Sequence, residues 1–136
     1  MSRKDQGIRA YGDAQAQQVR ETKSPEELIK LLFDKACLLV RASKENLAQG
    51  DYETFQNSCL HALQIVLSLR FVLKTEEGDE LSKSLFDTYT SIAASLLKAK
   101  ESQDAIALGK IYRALDELRE AWIDALRLNL SATVTT

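Results

Sequence analysis

The sequence predicts an all-α protein, an antiparallel up-down four-helix bundle preceded by a mobile N-terminal arm that can form a short extra helix. Three observations carry this reading. Apolar residues recur at steps of three and four along four long stretches, and none of them alternates at period two. Each stretch opens on a Ser or Asp suited to capping, and the first two close on a glycine. The links are short, which makes neighbouring helices antiparallel. The chain divides into an arm over residues 1–23, a bundle over 24–130 and a disordered tail over 131–136.

The first helix opens at Ser24-Pro25-Glu26-Glu27, a capping box. The Ser24 hydroxyl can accept from the Glu27 N–H, and proline suits the first helical position because no helical partner awaits its nitrogen. The helix continues through LIKLLFDKACLLVRASKENLAQ and stops at Gly50. Asp51 caps the second, YETFQNSCLHALQIVLSLRFVLKTEE, which ends at Gly78. Asp79 caps the third, ELSKSLFDTYTSIAASLLKAKESQ, and Asp104 the fourth, AIALGKIYRALDELREAWIDALRLN. Core stripes are legible in the third helix (Leu85, Tyr89, Ile92, Leu96) and in the fourth (Leu108, Ile111, Leu115, Leu118, Trp122, Ala125).

The second helix carries more apolar residues than one stripe needs. Phe55, Cys59, Ala62, Val66, Leu69 and Leu73 suffice for a core face. Leu60, Leu67 and Phe71 form a second row, with Ile65 and Val72 filling the gaps. A helix apolar on most sides is either central or offers a surface to something else.

Composition narrows the function. At 136 residues the chain is one domain, with 45% hydrophobic and 28% charged residues, as expected of a soluble globular protein. A net charge of −2 gives no reason to expect nucleic acid or an anionic membrane, and no basic stripe is interleaved with aromatics. No run is apolar enough to insert in a membrane and no signal peptide opens the chain, so a cytosolic protein is expected. Cys37 and Cys59 sit inside apolar helical runs and read as buried, reduced thiols. His61 is the only histidine, with no metal-ligand spacing around it, and the five glycines stand apart rather than in a phosphate-binding loop. No catalytic residues, cofactor or metal are expected; a binding module remains.

The arm holds one apolar island, GIRAY, in which Ile8 and Tyr11 stand three apart and would share a face of a helical turn. GIRAY, SPEELIKLLFDKA, QGDYE and ELREAW follow in order over nearly the whole chain, and together they resemble the FliS family, the flagellin-specific export chaperones of bacterial flagella. LFDTY resembles the family's third-helix segment, with Phe86 and Tyr89 at its aromatic positions. The resemblance implies binding of the disordered C-terminal segment of flagellin in the bacterial cytosol, prevention of premature polymerisation, and delivery to the type III export apparatus. It implies that Ile8 and Tyr11 dock to the export-gate protein or latch over the chaperone's own groove. The chain departs from the family where TSIAASLLKAK follows Tyr89 in place of a Met- and Arg-rich segment, which implies a shallower groove or one fitted to bulkier client residues.

The residues expected to bind the client are Leu60, Leu67 and Phe71, with Phe86, Tyr89 and Ala93 from the third helix as the opposite wall. A monomer or weak homodimer is expected. A second reading is a general helical adaptor or scaffold for another amphipathic client.

Overall fold

The computed structural model describes residues 24–72 and 80–135. They form α1 (Pro25–Ala48), α2 (Tyr52–Val72), α3 (Glu80–Ser102) and α4 (Ala105–Thr135). Each helix packs on its neighbours in sequence, and α4 returns to α1, closing a four-helix bundle. The arm, Leu73, Gly78 and Asp79 lie outside the described residues, as do the side chains of Val72 and Ala125.

The caps act as the sequence indicates. Ser24 is extended, and its Oγ accepts from the Glu27 N–H at 3.2 Å. At the far end of α1, Gly50 takes the left-handed conformation at φ 75°. There the Gly50 N–H donates to the Leu47 carbonyl and the Asp51 N–H to that of Asn46, at 3.1 and 2.9 Å. This is a Schellman stop, which satisfies carbonyls the helix leaves open. The Asp51 side chain then accepts from the Thr54 N–H at 3.3 Å, so one residue closes α1 and opens α2. The α3–α4 turn repeats the device with Gln103 at φ 54° and Asp104 accepting from the Ala107 N–H at 3.0 Å. Glutamine in that conformation carries a Cβ clash that glycine avoids.

The tail differs from expectation. Helix α4 runs on to Thr135, through most of the stretch read as disordered. SATVT holds neither Gly nor Pro, and extending an existing helix adds a hydrogen bond per residue without a new nucleation step.

The core draws on all four helices. Phe33 and Val40 of α1, Phe55, Cys59, Val66 and Leu69 of α2, Leu96 of α3, and Leu108 and Leu115 of α4 are fully enclosed. Ser43 is the buried polar residue among them; its hydroxyl donates to the Val40 carbonyl at 2.7 Å, which removes the penalty of an unmet donor.

Two sequence motifs meet across α1 and α4. Arg119, in ELREAW, bonds to Asp34 of α1 at 3.3 Å and to Asp116 at 2.8 Å. The Trp122 indole N–H donates to the Glu26 carbonyl at 3.3 Å, tying α4 to the first turn of α1. The Asp116 hydrogen bond, then that of Asp34, holds the Arg119 guanidinium further above its ordinary range. Both carboxylates are partly exposed, so the ion pair sets the α1–α4 register more than it stabilises.

Candidate functional site

The unusual face of the molecule is the outside of α2 where it borders α3. Two cross-contacts fix the register of this antiparallel pair. The Gln56 side-chain amide donates to the Lys100 carbonyl at 3.4 Å, and the Arg70 guanidinium lies over the Phe86 ring, 4.2 Å from its centroid. Leu60 is thereby level with Leu96 and Leu97, Leu67 with Tyr89 and Thr90, and Phe71 with Leu85 and Phe86.

On this face Leu60 is 43% exposed, Leu67 41% and Phe71 77%. Helical geometry explains the pattern. Phe55, Cys59, Ala62, Val66 and Leu69 occupy one side of α2 and are fully buried, while the row at 60, 67 and 71 projects about 120–160° away. The row at 60, 67 and 71 faces outward instead of entering the core. Solvated leucines are common singly, but an aligned row of three is a surface feature.

Helix α3 answers with Phe86, half-buried, and Leu97, 43% exposed. The sequence reading missed Leu97. The signal was available, since Phe86, Ala93 and Leu97 repeat the spacing of seven and four found in Leu60, Leu67 and Phe71.

Two expected wall residues are placed differently. Tyr89 is only 2% exposed, with its ring centroid 6.1 Å from that of Phe33. Burial raises its phenol well above the usual range. Ala93 is 7% exposed and lies at the floor of the α2–α3 seam. Both are core residues: Tyr89 falls on the inward stripe with Leu85, Ile92 and Leu96, and a stripe that closes a core cannot also serve as a surface wall. The face is therefore a ridge of exposed side chains over a small-residue seam. Ile8 and Tyr11 lie outside the described residues.

Other concavities have different linings. A cleft of about 510 Å³ between α1 and α4 has a floor of Val40, Leu108 and Tyr112 beneath Arg41, Lys44 and Arg113. Gly109 leaves room there, since a Cβ would meet the Lys44 Nζ at 3.4 Å. Among the described residues, no group of three or more His, Cys, Asp and Glu is placed to hold a metal ion. Burial pushes the Cys37 thiol up to about 11 and also raises Cys59, so neither is an activated nucleophile. Burial, and then the charge of Lys35, lowers the pKa of His61. No described helix is long and apolar enough to cross a membrane.

Comparison with known proteins decides what kind of molecule carries this face. Residues 7–129 match the sequence profile of the family described as flagellar protein FliS. The chain belongs to the FliS family. The flagellar secretion chaperone FliS of Salmonella typhimurium is 30% identical over 117 residues, covering 85% of this chain and 87% of that protein. The FliS chaperone of Escherichia coli is 28% identical over 125 residues, with 88% and 89% covered. That of Bacillus subtilis is 25% identical over 106 residues, 78% of each. FliS proteins are chaperones and not enzymes. Two of the motifs that carry the family resemblance have structural roles in this chain: QGDYE makes the α1–α2 turn, and ELREAW clasps α1.

Proposed function

We propose that this protein is a cytosolic export chaperone that binds the disordered C-terminal segment of flagellin, prevents its premature polymerisation and assists its delivery to the flagellar type III export apparatus. The observation that carries the reading is the aligned apolar row of Leu60, Leu67 and Phe71, faced by Leu97 and Phe86 across the α2–α3 seam. Family membership supports the choice of client.

The energetics favour an extended client. Fully burying a large apolar side chain contributes about 1.5–3 kcal/mol, so the remaining exposure of these residues offers roughly 4–5 kcal/mol. Ordering a disordered segment costs about 2–5 kcal/mol or more. The α2–α3 face alone thus leaves little surplus, and the client must reach further round the bundle. In such a complex the row acts as an anchor for one amphipathic helical turn of the client, read at every third or fourth residue. Covering those side chains removes the surface through which client chains associate. Ile8 and Tyr11 serve as the handle for the export-gate protein.

Co-expression with the flagellin C-terminal segment tests this directly. A soluble one-to-one complex and delayed flagellin polymerisation are expected. Free segment, unchanged polymerisation and equal binding of unrelated amphipathic peptides would instead favour the general adaptor.

A further inference from the structure

Arg70 stands out on this face. It is the only Asp, Glu, Lys or Arg between Glu53 and Lys74, so it is a lone formal charge in an otherwise uncharged length of α2. It sits one turn from Leu67 and beside Phe71, the two exposed members of the row at the end nearer α3's start. Its guanidinium carbon lies over the Phe86 ring, 4.2 Å from the centroid. Its Nε is buried and has no hydrogen-bond partner among the described residues.

These facts do not describe an arginine placed for the stability of the free bundle. A cation over an aromatic ring contributes only modestly at a partly exposed site. A buried donor left unmet costs at least as much as that contact returns. Methionine would pack on Phe86 without that penalty. Arginine has one further property: its planar group can stay in contact with an aromatic ring while its two Nη groups donate to the two oxygens of a carboxylate. Phe86 supports the guanidinium from one side. The Nη groups can then pair with an anionic acceptor with two oxygens, supplied by the client that covers Leu67 and Phe71.

We propose that Arg70 is a specificity-determining residue that receives a carboxylate of the bound client segment, through its two Nη groups, while Phe86 backs the guanidinium. The inference rests on the client reading given above. The carboxylate belongs either to an Asp or Glu side chain between two apolar anchors or to the client's chain terminus. An apolar segment lacking it fills the same row with its charge partner missing, and so binds more weakly.

The test uses the full chain and a synthetic peptide of the cognate flagellin C-terminal segment, titrated calorimetrically. Peptide variants replace each Asp or Glu by its amide in turn, and one variant carries an amidated C-terminus. Arg70→Met is expected to weaken binding at least tenfold, and Arg70→Lys several-fold, with circular dichroism spectra unchanged. One peptide variant should weaken binding to the unaltered chain by a similar factor and have no further effect on Arg70→Met. Its identity tells a side-chain carboxylate from the terminal one. That non-additivity is something a packing role for Arg70 would not produce. If Arg70→Met fails to fold, the same cycle with Arg70→Lys decides. Equal binding by Arg70→Met, or purely additive effects for every peptide variant, overturns the inference while leaving the client reading intact. No binding of the peptide by the unaltered chain overturns both.

Discussion

Replacing Leu67 and Phe71 together by glutamine separates a binding role from a packing role. Glutamine keeps helix propensity and adds no charge beside Arg70. Phe71 keeps most of its surface in solvent, so its loss should change bundle stability by about 0.5 kcal/mol or less. Leu67 is more than half covered, and its loss should cost about 1 kcal/mol. Against a domain stability of roughly 5–15 kcal/mol, the variant stays folded. The same two side chains offer roughly 3 kcal/mol of further burial to a client, which corresponds to about a 100-fold loss of affinity. Calorimetric titration with the flagellin C-terminal segment measures the second effect, and urea denaturation the first. Unchanged affinity would refute the placement of the client on this row. A collapse of the fold would refute the claim that the row lies outside the core.

Further expectations follow from the turns, the buried thiols and the arm. Gln103→Gly should stabilise the bundle by about 0.5–1 kcal/mol, because it relieves a left-handed Cβ clash against a smaller gain in chain entropy; a shift in the urea midpoint at constant slope measures it. Burial pushes Cys37 from 9.0 to about 11, so the folded chain retains a proton that the unfolded chain releases. Stability should be complete below pH 9 and fall as the pH rises toward 11, by on the order of 2 kcal/mol. Cys59 and Tyr89, also raised by burial, act in the same direction, and Cys37→Ala should flatten this decline in denaturation midpoints. Ile8→Ala with Tyr11→Ala should leave the thermal midpoint unchanged yet weaken capture of the chaperone–client complex by the export-gate protein. A lower midpoint with normal capture would make that pair structural.

Much of the fold was legible because its determinants are local. Ser24, Gly50, Asp51 and Asp104 act within five residues of themselves, so their spacing alone announces the helix ends they make. The α2 core stripe was legible for the same reason, since periodicity records which residues share a face. What periodicity does not record is depth. Tyr89 belongs to the inward stripe of α3 by its register, and only the packing of Phe33 against it shows that no surface remains. The helical run of SATVT was missed because a helix end without glycine or proline leaves no mark in sequence. Arg119 with Asp34, and Arg70 with Phe86, join residues distant along the chain, and a single sequence holds no trace of such pairings.

The central claim is that the client lies along the α2–α3 face. Methyl nuclear magnetic resonance of the leucines, during titration with the flagellin C-terminal segment, tests it most directly. Leu60, Leu67 and Leu97 are exposed there, whereas Leu108 and Leu115 are enclosed in the core. Strong shifts at the first three, with the two core leucines little changed, are predicted. Saturable binding that leaves Leu60, Leu67 and Leu97 unmoved would contradict the account.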